Sequence, residues 1–586
     1  METFAVNDTS EICIDDQYVT IRIAHRDCAA WIWALITKLV QIASKQRNDD
    51  ATTGFGIAHA SLSRPWRYRA LDWLSQIVYL LMIPVDHFLA RLDREIDFSF
   101  VDDLCMSHYK WRPGKRGRPP WPPQLMFRLL LLMFLFGVPF ETVLVTELQI
   151  NIAWRWFIGL GLLEKTPDHS ALCDFRKRLG PEVFVQVLAH LLLVCLGRGL
   201  IRNIDLYFDF TAVQASGVLF KPYQRALLLA LAVNRYLDLL EAKRVLDQPP
   251  LETLRSLVIE VAMEAVDSKS LEKVSPKRLE QSLARLEEKV AAMPQGPDWQ
   301  EPVEQAVEKA AATEPPPKDR KGLLKLARKL LAILPQSRGD LDARLGKANN
   351  WEFCFGYLAG YVVDGLFGII TAVVLATANA WQAELFPSAL KQHQAHVPGQ
   401  AKSMALDSAF DFPDVYQALD EAQLKGYIAP RDHRSPKECF GSECFVWKER
   451  QLLCPNETPM TEAKHHRDGK VTYEGTACAT CPLPKQCLGE GAQHARTLTV
   501  YPTHHQRWQE NRVANRSEEY KQAQKQRMAW ENIFGHGNTY HHGDKAPYRS
   551  QPMNFIAQVM TVIAIDLEKM VRYGNQTAVA RQTAAA

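Results

Sequence analysis

Three acidic residues stand where a surface carboxylate has no need to be. Asp209 closes the apolar run from Ile204 through Leu206, Tyr207 and Phe208, and the chain turns polar at Thr211. Asp407 closes a second short run that begins at Ser403, ahead of a helix-like stretch. Glu531 lies in a late helical segment between Trp530 and Ile533. Two strand-end aspartates and one helical glutamate can converge on a pair of divalent ions. An all-oxygen donor set suits Mg2+, which keeps several waters and completes its shell with substrate phosphate. Two such ions about 3.5–4 Å apart serve phosphodiester chemistry, one activating the attacking oxygen and the other stabilising the leaving one. Taken singly, each residue reads more readily as a solvated surface group. The case rests on one fold bringing all three together.

The elements needed to position them can be read from the chain. Strand-like periodicity begins at Ile204. Residues 353–363 and 366–376 are two β-rich runs joined at Asp364-Gly365, a hairpin signal. Residues 381–392 read as a helix, the run to Asp407 as a strand, 412–424 as a helix and 426–429 as a short strand. Strand, hairpin, helix, strand, helix, strand is the order of a ribonuclease H-like α/β core, a mixed sheet with flanking helices. Adjacent strands of such a sheet would set Asp209 beside Asp407, and a helix packed across it would bring Glu531.

On this reading the core is assembled from residues 201–224 and 350–434 and completed by helices at 501–575, with a tail at 576–586. Two insertions interrupt it. Residues 225–349 are charged and helical, broken by Pro249-Pro250, Pro294 and Pro315 to Pro317. Residues 435–500 are cysteine-rich. Ahead of the core, residues 66–200 read as an all-helical domain with basic edges. Leu71, Leu74, Ile77, Leu80 and Leu81 start its helical periodicity, which runs to Leu92, and residues 125–136 are nearly all apolar. Residues 1–65 carry no assignment.

Six of the twelve cysteines fall between Cys439 and Cys487. In a chain read as cytosolic, such clustering favours a metal over disulfides. Cys478-x2-Cys481-x5-Cys487, with Cys454 upstream, supplies the four thiolates of a tetrahedral structural Zn2+ site. Cys439 and Cys444 are an alternative pair. His465, His466 and His494 fit the spacing less well, and the bland alternative is four unligated buried cysteines.

Basic residues cluster locally although the whole chain of 586 residues carries only +3 net charge. Lys110, Arg112, Lys115, Arg116 and Arg118 fall within nine residues of a Pro- and Gly-rich loop, with Trp111 and Trp121 alongside. Such a loop neutralises phosphates or enters a minor groove through Arg118, unless it is a solvated linker. Arg176, Lys177 and Arg178 follow the turn at Pro167 to Ser170, as part of a recognition helix or of a solvated face. Arg527 lies one helical turn before Glu531 and can hold a phosphate, or simply pair with it. The basic amphipathic stretch 321–331 reads as a packed helix with a wet face. No apolar run reaches bilayer length, and Glu2, Glu11, Asp15 and Asp16 replace the basic start of a signal peptide. The expectation is a cytoplasmic protein without a membrane span.

Over residues 66–570 the sequence resembles the bacterial insertion-sequence transposases of the DDE type, which pair an N-terminal helical domain with a ribonuclease H-like core. The helical part matches at Gly117-Arg118-Pro119, Trp154 to Leu160, Pro167 to Ser170 and Phe175-Arg176. The core matches at Asp209 to Thr211, Thr377 to Asn379, Leu406-Asp407, Phe410-Asp411, Tyr427 to Arg431, Arg527 to Glu531 and Phe534 to His536. The resemblance implies Asp209, Asp407 and Glu531 as ligands of Mg2+ or Mn2+, with cleavage at insertion-sequence ends and strand transfer into target DNA. It also implies DNA contacts that include Arg431, a homo-oligomer on DNA, and action at the nucleoid. The sequence departs from the family's pattern at Phe210, where a glycine is usual, at Ser408 to Phe410, and at Gly537 to Thr539, where a basic residue is often found. The alternatives are a zinc-containing DNA-binding protein with an inactive core, and a metal-dependent nuclease that does not join.

Overall fold

The structure, a computed structural model, describes residues 2–7, 10–14, 19–22, 73–110, 119–245, 248–266, 271, 274–293, 297–347, 353–429, 440–448, 451–466, 469–489 and 494–585. The chain divides into two units, Met1–Leu179 and Gly180–Ala586.

The first unit opens on an antiparallel meander, β1 (Glu2–Asn7), β2 (Ser10–Ile14) and β3 (Val19–Arg22). Helices α1 (Trp73–Met82), α2 (Phe88–Glu95), α3 (Phe100–Cys105), α4 (Pro123–Leu135), α5 (Glu141–Ile150) and α6 (Ile152–Phe157) follow. The periodic stretch that sequence reads as continuous to Leu92 is broken at Pro84, which has no N–H to continue the ladder. The chain restarts as α2 with the His87 side chain accepting from Leu89 N–H. In α4 every residue is buried, as expected of a helix that is apolar all round. Its one charge, Arg128, is paired with Asp93 and lies over the rings of Phe98 and Phe157.

Helix α7 (His169–Gly197) straddles the boundary between the units and kinks there, at Gly180 with φ 69°, just before Pro181. As a whole it is long and apolar enough to cross a membrane. Neither half alone reaches the roughly 20 residues of a bilayer span.

In the second unit β4 (Asp205–Ala215) leads into α8 (Pro222–Ala242), α9 (Gln248–Ser256), α10 (Val258–Val266), α11 (Pro276–Ala292), α12 (Gln300–Thr313) and α13 (Arg320–Ile333). These helices share a core of their own, built on Leu229, Tyr236, Val261, Val307 and Leu330. The basic helix α13 buries Leu323, Leu326 and Leu330 in it.

The chain then forms β5 (Arg344–Lys347), β6 (Phe353–Asp364), β7 (Ile370–Thr377), α14 (Gln382–His396), β8 (Ser403–Leu406), α15 (Pro413–Glu421) and β9 (Lys425–Ile428). The sheet runs β7-β6-β4-β8-β9, with β6 antiparallel to β4 and β7, and β4, β8 and β9 mutually parallel. Strand β5 extends the other end of β6. Period-two alternation sorts the side chains. Leu206, Phe208, Val362, Met404 and Leu406 pack against Phe386 and Leu390 of α14 and Val415 and Leu419 of α15. Tyr207, Asp209 and Tyr361 turn to the opposite face.

The hairpin expected at Asp364-Gly365 is wider than a two-residue turn. Asp364 N–H reaches the Ile369 carbonyl, and Gly368, at φ 73°, is the residue that takes the left-handed conformation. The Asp364 carboxylate is occupied by the N–H groups of Arg202, Asn203 and Leu366, which fastens the loop to the start of β4.

Beyond β9 a small β-rich body holds β10 (Val446–Lys448), β11 (Gln451–Leu453), β12 (Met460–His465), β13 (Val471–Gly475), α16 (Pro484–Leu488) and β14 (Thr497–Val500). It packs around Phe445, Leu452, Val471, Tyr473 and Cys487. Helix α17 (Pro502–Ala514) ties it to the sheet: His505 reaches the Phe445 carbonyl and Asn511 donates to the Ile428 carbonyl. Helix α18 (Glu518–His541), a short β15 (Lys545–Ala546) beside β4, and α19 (Gln551–Ala585) end the chain.

Candidate active site

Strand pairing sets the two aspartates side by side. In β4 and β8, Asp205 pairs with Ser403, Leu206 with Met404 and Tyr207 with Ala405. Continuing that register by two residues puts Asp209 opposite Asp407, on the same face as Tyr207. Helix α18 crosses this face. Gln524 donates to the carbonyls of Leu406 (3.0 Å) and Tyr427 (2.6 Å), at the ends of β8 and β9, and Gln526 accepts from the Tyr207 hydroxyl at 2.7 Å. Those contacts set the helix so that its next turn overlies the aspartates. There Arg527 Nη1 lies 3.1 Å from Asp209 Oδ2 and 2.7 Å from Glu531 Oε1. One guanidinium nitrogen thus bridges two of the three acids.

The electrostatics follow from this crowding. Burial, reinforced by the charge of Asp407, pushes the Asp209 carboxyl up to about 6. Burial also raises Asp407, with Glu531 adding to it and Arg527 opposing. Each aspartate spends one oxygen locally: Asp209 Oδ1 accepts from Phe210 N–H and Asp407 Oδ1 from Ala409 N–H. Buried like charges of this kind raise one another's pKa and favour a cation between them.

Phe210, which departs from the family's pattern, does not crowd the acids. Alternation turns its ring to the other face, where it packs against Phe208 and stacks on Phe410 at 5.9 Å. A Cβ on Gly360 would come within 2.6 Å of that ring, so glycine there makes its room.

Sequence reasoning missed how α18 is held, because the contacts are long-range. Trp530, beside Glu531, packs on Gly368, where a Cβ would lie 2.5 Å from the indole. Lys569 of α19 holds the Gly368 carbonyl and Asp566 accepts from Ile370 N–H at 2.9 Å. Phe534 stacks on Tyr361 at 5.2 Å. Gly368→Ala combines a left-handed backbone with overpacking, so the expected cost is about 2–4 kcal/mol, measured as a lowered denaturation midpoint. An unchanged midpoint would mean that Trp530 is not seated there.

The basic residues singled out from sequence fare differently. Lys115, Arg116, Arg118 and Arg431 lie outside the described residues. Arg178 is exposed, its guanidinium 4.5 Å over the Tyr109 ring. Arg176 is corrected: it is 4% exposed and ion-paired with Glu141, so it belongs to the packing of the first unit and not to a phosphate-facing surface. Arg527 does lie at the acids. Cys454, Cys478, Cys481 and Cys487 line one cavity of about 30 Å³. Arg496 N–H points at Cys478 Sγ (3.5 Å) and Leu483 N–H at Cys481 Sγ (3.4 Å). Among the described residues these cysteines are free thiols, and Cys439 lies outside that set.

Comparison with known families is decisive here. Residues 78–178 match the family described as "Transposase domain (DUF772)", and residues 453–571 match the one described as "Transposase DDE domain". Together the two matches support an insertion-sequence transposase of the DDE type. Among curated proteins and solved structures, none matches it. The DDE match takes in Arg527, Glu531 and the four cysteines, while Asp209 and Asp407 precede it. It implies a ribonuclease H-like fold, with which the β7-β6-β4-β8-β9 sheet agrees, and an enzyme class that acts on DNA with a divalent metal such as Mg2+. The mixed α/β architecture expected from sequence therefore stands.

Proposed function

We propose that this transposase cleaves phosphodiesters at the ends of an insertion sequence and transfers the freed 3′ hydroxyl to target DNA, with Asp209, Asp407 and Glu531 holding Mg2+ or Mn2+. The observation that carries the reading is the Arg527 nitrogen between Asp209 and Glu531, with Asp209 on the strand neighbouring the one that Asp407 follows. A cation already stands between two of the three carboxylates, and an all-oxygen donor set fits Mg2+. When bound, the metal supplies an activated attacking oxygen and stabilises the leaving one. The chain's own residues do the rest. The backbone bonds to one oxygen of each aspartate fix both carboxylates, leaving their second oxygens for the site. Glu531, 44% exposed, is free to adjust as the site fills. Arg527 is at hand to meet phosphate charge.

For DNA recognition the reading keeps the helical domain at 66–200, the basic loop with Lys115, Arg116 and Arg118, and Arg178 and Arg431. Arg176 drops out. Two ends joined in one event call for a homo-oligomer, acting in the cytoplasm at the nucleoid. Incubating the full chain with a duplex bearing the terminal repeats that flank its gene tests the activity. Nicked and joined products with Mg2+, and none when it is omitted, are expected; products independent of metal would refute the reading.

The residue 435–500 body is proposed as a zinc module. A bound ion would draw the four sulfurs in from the walls of their cavity, and the N–H groups of Leu483 and Arg496 suit thiolates. Gly475 leaves space for Cys478 Sγ, since a Cβ there would lie 2.5 Å away. The expected result is that Cys478→Ser holds about one equivalent of zinc less than the wild type. A difference below about half an equivalent on elemental analysis counts against the module.

A further inference from the structure

A second cluster of ligating side chains lies on α18 beyond Glu531, away from the cysteines. His536 and His541 on that helix, with Glu568 of α19, bring one donor atom each to within 4.8 Å of one another. His536 Nε2 is 2.9 Å and His541 Nε2 3.5 Å from the same oxygen, Glu568 Oε2. The rings are 5.2 Å apart and inclined at 63°. The last turn of α18 closes with His542 N–H on the Gly537 carbonyl, five residues back, which widens the turn and lets residues five apart share a side.

We propose that His536, His541 and Glu568 bind one transition-metal ion of the Zn2+ class, clipping α18 to α19. Ligands about 2.1 Å from a tetrahedral ion stand about 3.4 Å from one another, close to the spacing of these atoms. Two imidazoles aimed through the same ring nitrogen at one carboxylate oxygen form a three-ligand set with a fourth position open. Imidazole donors select Zn2+, Co2+ or Ni2+ over Mg2+, which separates this site from the carboxylate triad. His541 is fully buried while His536 is 42% exposed, so the ion is anchored inside and reached from the surface. Because the clip lies on the same helix, about one and a half to three turns past Glu531, it steadies the helix that carries Arg527 and Glu531. The proposal does not depend on what the triad does.

The test is a Co2+ titration of the metal-stripped full chain in excess Mg2+, following visible absorption and the near-ultraviolet sulfur-to-cobalt bands. His536→Ala and Glu568→Gln each alter a partly exposed side chain, and both are compared with the wild type. Each variant is expected to lose about one equivalent of Co2+ while the sulfur bands keep their full intensity. Equal stoichiometry in wild type and both variants overturns the site and leaves a simple His–Glu hydrogen bond. A loss confined to the sulfur bands overturns it too, since the metal would then belong to the cysteines.

Discussion

Asp407→Asn is expected to lower Mg2+-dependent end cleavage by about 10³-fold or more while leaving end binding intact. The asparagine oxygen can still accept from Ala409 N–H, so the turn after β8 keeps its cap. What is lost is one negative oxygen from a set of three, in a site where burial has already raised Asp209. A metal-bound transition state owes several kcal/mol to such charge, and about 4 kcal/mol is a factor of about 10³ in rate. Single-turnover nicking of the terminal-repeat duplex measures it, with DNA binding followed in parallel. Cleavage within tenfold of wild type would remove Asp407 from the chemistry.

The second large effect is on pH. Asp209 holds its proton up to about 6 because it is buried beside Asp407. A proton on Asp209 competes with the cation, so apparent Mg2+ affinity is expected to fall about tenfold per pH unit below about 6. The same shift has a stability consequence of opposite sense. The folded pKa is raised above the unfolded value of 3.8, so the native state favours the protonated acid. Stability from this group is fully present below the unfolded value and is lost as pH rises through about 6. Asp209→Asn is therefore expected to stabilise the metal-free protein at neutral pH by about 2 kcal/mol, an advantage that disappears towards pH 4. Denaturation midpoints at the two pH values check this. A destabilised Asp209→Asn at pH 7 would mean that the Arg527 pairing outweighs burial.

Much of this site could be read from the chain because its parts are local. Alternating apolar residues marked β4, β6 and β7, and a strand that ends on an acid marks itself. The geometry that joins the parts is not local. Gln524 finds carbonyls more than 90 residues upstream, and Trp530 finds a glycine in the β6–β7 loop. Arg176 misled because a basic residue near a helix start looks alike whether it faces phosphate or Glu141; only packing distinguishes them. His536, His541 and Glu568 left no spacing signature, since five residues do not repeat on a regular helix and the third ligand comes from the next one. The break at Pro84 was legible, but the apolar repeat across it suggested continuity.

The central claim is that Asp209, Asp407 and Glu531 share one divalent-metal site. Hydroxyl radicals generated by Fe2+ bound to the full chain cut the backbone close to the ion. The account requires cuts beside all three residues, suppressed together by excess Mg2+. Cuts beside one or two of them only, or cuts beside Asp209 and Asp407 that Mg2+ leaves untouched, would contradict it.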